Sequence, residues 1–153
     1  MQTLEPILAQ HPFFKDLDTT YRKLIVGCAG NVRFQAGAFL FHEGDAADRF
    51  YLIRHGRVAL HVFIPGQGPT TIATIEAGEV LGWSWLFPPY RWQFDAQAMD
   101  LVRAVGFDGK CLRDKCEADH DLGYALMQRF ARIMVQRLQA TRLQLLDLYG
   151  TDT

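Results

Sequence analysis

Aromatic side chains crowd one short segment of the chain, and an arginine lies among them. All three tryptophans of the 153-residue sequence fall within ten positions. The crowded positions are Trp83, Trp85, Phe87, Tyr90, Trp92 and Phe94. Aromatic faces stack on planar groups, and Arg91 offers a fixed positive charge to an anion. The segment predicts either an aromatic-lined pocket for an anionic ligand or a pocket filled by its own side chains.

Residues that could support catalysis are present but not arranged for it. Ser84 lies between two tryptophans rather than in a nucleophile-elbow motif. The histidines lack metal-ligand spacing, so a metal-dependent enzyme would require His42, His55 and His61 to converge in the fold. We therefore expect no enzymatic activity and no resident cofactor.

The cysteines are too few and too irregularly spaced for a disulfide framework or a metal site. Cys28, Cys111 and Cys116 form an odd set, and the last two are five positions apart. Such sparse cysteines are typical of structural or surface thiols. We therefore predict free thiols at all three positions.

The bulk composition is typical of a soluble globular protein. Hydrophobic residues make up 49%, charged residues 22%, and the net charge is −1. This balance gives no general attraction to nucleic acid or to an anionic membrane. The N-terminus lacks the pattern of a signal peptide, and no apolar run is long enough to span a bilayer. We expect a single cytoplasmic domain over residues 1–153, without membrane binding.

The pattern of apolar and turn residues changes twice along the chain. It predicts helices first, then strands, then helices again. Residues 1–31 are predicted to form short helices, with Asp18, Thr19 or Thr20 as an N-cap of the second, and residues 109–150 are predicted to form the C-terminal helices. Between them, short apolar runs alternate with glycine-rich turns, which predicts an antiparallel barrel over residues 32–108. The predicted strands cover residues 32–34, 39–41, 49–54, 57–64, 70–75, 94–98 and 101–107.

The last helix carries a heptad pattern. No glycine or proline interrupts residues 124–149, and Asp119 or Asp121 can cap the helix. Spacings of four and three residues relate Met127, Ala131, Met134, Leu138, Thr141, Leu145 and Leu148. This seam predicts a homodimeric coiled coil. The alternative is one wide apolar face buried within the monomer, since a second stripe runs through Leu126, Phe130, Ile133 and Leu146.

Two motifs in the strand region resemble a known family. Residues 37–45 read GAFLFHEGD and residues 50–58 read FYLIRHGRV. Their glycines, acid pair and aromatic are similar to the pattern of the cyclic-nucleotide-binding domain family. The resemblance implies a mainly β fold with α: a double-stranded β-helix (jelly-roll) barrel between N-terminal helices and a long dimerisation helix. Gly44 and Gly56 would then occupy turns that need a positive φ.

The resemblance also identifies residues 78–96 as the family's phosphate-binding cassette. Gly82 matches the cassette frame, but Trp83 occupies the position of the ribose-binding glutamate, and Gln93 or Phe94 that of the phosphate-binding arginine. The resemblance places Thr141 where a helix threonine contacts the base. We therefore predict that this cassette does not bind cyclic AMP through the family's usual ribose and phosphate contacts. The candidate ligand contacts are Gly82, Trp83, Ser84, Arg91, Trp92, Thr141 and Arg142.

These observations predict a non-enzymatic regulatory sensor. A small anionic or nucleotide-like effector would bind at the cassette, and the helical dimer would pass the signal to a downstream protein partner. Because few residues follow the long helix, we expect no DNA-reading motif there and no direct DNA binding. The alternative is a ligand-free dimerisation or protein-interaction module with an aromatic-filled pocket, in which Trp83 or Trp85 is the filling side chain.

Overall fold

A computed structural model describes residues 4–150, and side chains as far as residue 147. Short helices precede eight strands, and two further helices follow them. In chain order the elements are α1 (Glu5–Gln10), α2 (Thr19–Val26), β1 (Ala29–Phe34), β2 (Phe39–Phe41), β3 (Arg49–His55), β4 (Val58–Ile64), β5 (Gly68–Ile75), β6 (Val80–Leu81), a 3₁₀ helix (Ser84–Leu86), β7 (Asp95–Ala98), β8 (Val102–Asp108), α3 (Gly109–Ala118) and α4 (His120–Gly150).

The strands form two antiparallel sheets with four strands each. One sheet has the order β1-β8-β3-β6 and the other β2-β7-β4-β5. One apolar core draws on both, for example Ile53 and Ala104 from the first sheet and Leu60 and Ala96 from the second. The predicted mainly β, jelly-roll fold is confirmed. The predicted closed barrel is wrong, because the ladders of the described strands stay within the two sheets and β6 pairs over only two residues.

Most predicted strands lie within a few residues of the observed ones, and the differences follow from tertiary pairing. β1 begins at Ala29, three residues before the predicted strand and inside the segment assigned to the N-terminal helices, because Ala29 pairs with Phe107 of β8. β6 was not predicted, since two residues leave no alternation to detect. The predicted turn glycines are confirmed, with φ of +88° at Gly44 and +86° at Gly56.

Acidic side chains cap two helices as the sequence predicted. The Asp18 carboxylate accepts a hydrogen bond from the Thr20 backbone N–H at 2.8 Å. The Asp119 carboxylate accepts from the N–H groups of Asp121 and Leu122 at 3.1 and 3.2 Å. Among the described helices, none combines the length and the apolarity needed to cross a bilayer.

Two of the three cysteines are joined. A disulfide links Cys28, just after α2, to Cys111 in the first turn of α3. The prediction of three free thiols is therefore wrong, and Cys116 alone is free among the cysteines. The two bonded residues are 83 positions apart, yet the pairing of β1 with β8 brings their Cα atoms to 5.9 Å. Spacing along the sequence cannot reveal such a pair.

The chain divides into two compact units at a point within α3. The first unit ends at Lys115 and the second begins at Cys116. The first therefore contains both sheets, the cassette and most of α3, whereas the second contains the end of α3 and all of α4.

Candidate functional site

The cassette begins with a glycine in a conformation that other residues rarely adopt. Gly82 follows β6 with a φ of +103°. A methyl group placed on it would lie only 2.7 Å from Cη2 of Trp92. Glycine is therefore required here both by the backbone and by the close approach of an indole ring.

The far end of the cassette is fastened to the turn between β2 and β3. The Trp92 N–H donates to the Asp45 carbonyl at 3.0 Å, and the Gly44 N–H donates to the Trp92 carbonyl at 2.8 Å. The Ala47 N–H donates to the Tyr90 carbonyl at 2.7 Å. This short ladder explains why residues 90–92 have a fixed position between the 3₁₀ helix and β7.

Trp92 fills the space between the sheets. Its side chain is 3% exposed and belongs to the apolar core. The indole stacks on Phe41 with ring centroids 3.6 Å apart and an interplanar angle of 8°. Tyr51 lies in the same core, and burial is the main cause that raises the pKa of its phenol. The self-filled alternative named Trp83 or Trp85 as the filling side chain, whereas the indole in this core is that of Trp92.

The other two tryptophans have different surroundings. Trp85 is completely buried and stacks on Phe50, with ring centroids 5.1 Å apart. A methyl group on Gly109 would lie 2.9 Å from its Cβ, so α3 begins directly against this side chain. Trp83 precedes the 3₁₀ helix and is only half-buried. The three rings therefore do not line one common pocket wall.

Arg91 is the exposed cation of the cassette. Its guanidinium Nη1 donates to the Gly44 carbonyl at 3.3 Å. The next side chain, Trp92, is buried, as the alternation along an extended segment requires. The two candidate positions for a phosphate-binding arginine hold an exposed Gln93 and a half-buried Phe94 that packs on Phe41.

Arg113 of α3 holds the cassette at two points. Its Nη1 donates to the Trp85 carbonyl at 2.7 Å, and its guanidinium carbon lies 4.2 Å from the centroid of the Tyr90 ring. Sequence reasoning missed this residue, because it lies 28 positions from Trp85 and belongs to no motif. The interaction couples the cassette directly to the helix that leads into α4.

The predicted ligand contacts fall into two groups. Gly82 and Trp92 touch each other, and Trp83 and Ser84 are neighbouring residues at the start of the 3₁₀ helix. Thr141 and Arg142 lie in the second unit and are exposed, and the Thr141 hydroxyl donates to the Arg137 carbonyl at 2.9 Å. The participation of this second group in a ligand site stays a prediction.

The histidines named as metal candidates do not form a site. Among the described residues, no three histidine, cysteine, aspartate or glutamate side chains are placed to hold a metal ion. His42 Nδ1 lies 3.8 Å from an Asp95 carboxylate oxygen, whereas His61 is hydrogen-bonded to Thr71.

The two apolar stripes of α4 differ in exposure. Leu126 and Phe130 are completely buried. The predicted seam instead includes exposed residues such as Met127, Leu138 and Leu145, with Leu138 at 52%. The side chain of Leu148 lies outside the described residues. The single chain therefore leaves much of the seam uncovered, and the homodimer stays a prediction.

The chain belongs to the cyclic nucleotide-binding domain family. The family's sequence model matches residues 31–119, which is more than half of the chain. This span includes the cassette, α3 and both sheets except the first two residues of β1.

Individual relatives support the same fold. A CRP-like cAMP-activated global transcriptional regulator of Mycobacterium tuberculosis is 26% identical over 149 residues, which cover 97% of this chain. A crystal structure from Geobacter metallireducens GS-15 is 29% identical, with a TM-score of 0.80, and covers 90% of this chain and 99% of that one. The N-terminal domain of a transcriptional regulator from Streptomyces coelicolor A3(2) is 26% identical, with a TM-score of 0.68, and covers 88% and 94%.

The match to the Mycobacterium regulator is partial. The chain spans 65% of the length of that protein. The activity and the partners of the whole regulator therefore do not pass directly to this chain.

Proposed function

We propose that the chain is a non-enzymatic regulatory sensor module in which the cassette receives the signal and α3 passes it on. The interaction of Arg113 with the cassette carries this proposal. A hydrogen bond from a charged donor and a cation–π contact together stabilise one cassette conformation by about 2–3 kcal/mol. A ligand that moves Trp85 or Tyr90 must change these contacts, and α3 would respond.

The effector we propose is a small anionic or nucleotide-like molecule that binds beside Arg91. This guanidinium is exposed and has a neutral carbonyl as its hydrogen-bond partner at 3.3 Å. An anionic group would form a stronger, charge-assisted hydrogen bond there. Trp83 and Ser84 supply an aromatic face and a hydroxyl in the same cassette, and Thr141 and Arg142 remain candidate contacts from α4.

Cyclic AMP held by the family's usual ribose and phosphate contacts fits this cassette poorly. The relatives include a regulator described as cAMP-activated. Here, however, the phosphate-binding arginine has no counterpart at Gln93 or Phe94, and burying a phosphate without a cation is costly. Trp92 also occupies interior space with its ring stacked on Phe41.

A second candidate function is a ligand-free dimerisation or protein-interaction module. The Phe41–Trp92 stack favours it, since a self-filled interior needs no effector for its stability. In this case α3 and α4 would present a fixed surface to a partner.

In both cases we propose a cytoplasmic homodimer that signals to a downstream protein and does not read DNA itself. Exposed leucines continue along α4 beyond Phe130, and a second copy of the helix would cover the Met127–Leu145 seam.

Titration of intrinsic tryptophan fluorescence distinguishes the two candidates, because all three tryptophans lie in the cassette. Cyclic AMP, cyclic GMP and cyclic dinucleotides are the probes, and calorimetry confirms each response. For an effector sensor we expect at least one probe to bind, with the affinity reduced about tenfold or more in Arg91→Ala. Arg33→Ala, which removes an exposed arginine from β1, is the matched control.

If no probe binds in either measurement, and no small molecule is retained on the purified protein, the effector proposal is contradicted. This result would favour the ligand-free module instead. Equal losses of affinity in Arg91→Ala and Arg33→Ala would show that Arg91 has no special part in binding.

A further inference from the structure

We propose that the Cys28–Cys111 disulfide is a reversible redox site, whose substrate is a dithiol reductant and whose state sets how firmly α3 is held. The bond joins the start of α3 to the segment between α2 and β1. The inference does not depend on an effector, since it concerns a different side of α3 from the cassette contacts of Arg113.

Hydrogen bonds keep the two cysteines close whether or not the sulfurs are bonded. The Asp108 N–H donates to the Cys28 carbonyl at 2.8 Å. The Asp108 carboxylate accepts from the Cys111 N–H at 3.0 Å. A reduced pair therefore stays near its bonded position, which is what re-formation of the disulfide requires.

Among the described residues, the disulfide is the one covalent cross-link that holds α3, and noncovalent contacts hold it as well. Lys115 Nζ donates to the Leu24 carbonyl of α2 at 2.7 Å, and Leu112 is completely buried. Without the disulfide, α3 keeps these noncovalent contacts. Reduction should therefore loosen the helix rather than unfold the domain.

The two cysteine residues differ in exposure, and we expect the exchange to begin at the more exposed residue. Cys28 is 7% exposed, and Cys111 is half-buried. A thiolate of the reductant attacks Cys111 Sγ, so that the Cys28–Cys111 bond breaks, a mixed disulfide forms, and the Cys28 thiolate takes up a proton. The second thiolate of the reductant then attacks its own sulfur in the mixed disulfide. Cys111 leaves and is protonated, and the reductant closes to a disulfide after giving up two electrons.

Cys116 is poorly suited to interfere. Burial is the main cause that raises the pKa of its thiol, and the nearby Glu117 and Asp119 carboxylates raise it further. A neutral thiol is a weak nucleophile, so the raised pKa of Cys116 slows any attack of its sulfur on the disulfide.

The proposed cytoplasmic location favours a switch over a permanent link. Disulfides are rare in reducing compartments, where those that form are usually transient and redox-sensing. A lasting structural bond would be expected in an oxidising compartment instead.

The test compares the full chain before and after treatment with dithiothreitol. Thiol titration under denaturing conditions should find one free thiol before reduction and three after it. In the native protein, amide exchange of residues 109–115 should become at least tenfold faster on reduction, and the melting temperature should fall by on the order of 10 °C. Reoxidation with oxidised glutathione should reverse both changes.

Serine variants provide the controls. Cys28→Ser and Cys111→Ser should each have the amide exchange and melting temperature of the reduced protein, and dithiothreitol should not change these values. Cys116→Ser should respond to dithiothreitol as the wild type does. Three free thiols in protein isolated without reductant would overturn the proposal. So would a disulfide whose reduction leaves both amide exchange and melting temperature unchanged. Neither readout involves an effector, so failure here is distinguishable from failure of the proposed sensor function.

Discussion

Trp92 is the residue on which the state of the cassette most depends. It closes the gap between the sheets, stacks on Phe41 and leaves room only for glycine at position 82. Trp83, which precedes Trp92 by nine positions in the sequence, is half-buried. The contribution of each indole to stability should therefore differ by several-fold.

We expect Trp92→Ala to lower the free energy of unfolding by about 3–5 kcal/mol, because it removes a buried indole and leaves a cavity. Trp83→Ala, the matched control, should cost about 1–2 kcal/mol, since this side chain is only partly buried. Urea denaturation followed by circular dichroism measures both values. Equal losses in the two variants would show that Trp92 is not the side chain that fills the interior.

The sequence revealed the aromatic cluster but not the separate places of its members. Arg91 and Trp92 were both predicted to contact a ligand, yet Arg91 is exposed and Trp92 is buried, because neighbouring side chains of an extended segment alternate between its two sides. The burial of Trp85 beneath α3 and its hydrogen bond to Arg113 depend on a tertiary contact. Such contacts between distant segments leave no local pattern, which is also why the Cys28–Cys111 pair was missed.

At the scale of elements, the burial of apolar side chains changes along the length of α4. Its early apolar residues Leu122, Leu126 and Phe130 are buried, whereas Leu138, Leu143 and Leu145 beyond them are exposed. Long exposed apolar stretches on a helix are usually covered by a partner. From the heptad spacing of the seam, we propose that this partner is a second copy of α4.

Substitution of one seam leucine tests this arrangement. Leu138→Glu should weaken dimerisation about 100-fold or more, because each copy would bury a carboxylate at the interface. Leu143→Glu introduces the same charge at a somewhat more exposed leucine outside the seam and should leave the dimer intact. Sedimentation equilibrium measures both. A wild-type protein that stays monomeric at all concentrations, or a dimeric Leu138→Glu variant, would contradict the predicted coiled coil.

The positions of the strands were easier to predict than whether the two sheets close into a barrel. Glycine-rich turns separated most strands correctly, because turns with positive φ have a local residue requirement. The two-residue β6 and the early start of β1 depend on partners from β3 and β8. Whether two sheets close into a barrel is likewise decided by edge pairing, which no single segment encodes.

For the whole molecule, α3 is the element on which the separate contacts converge. The cassette reaches it through Arg113, and α2 reaches it through Lys115 and the disulfide. α4 follows it in the chain after a single residue. A regulatory domain needs such an element, because a local change must alter the part of the protein that a partner recognises.

Hydrogen–deuterium exchange of the cassette in Arg113→Ala tests the coupling between cassette and α3 most directly. We predict that amides of residues 84–92 exchange about ten- to a hundredfold faster than in the wild type, because about 2–3 kcal/mol of anchoring is lost. Lys110→Ala, an exposed change in the same helix, should have no such effect. Unchanged cassette exchange in Arg113→Ala would contradict the proposal that α3 senses the cassette.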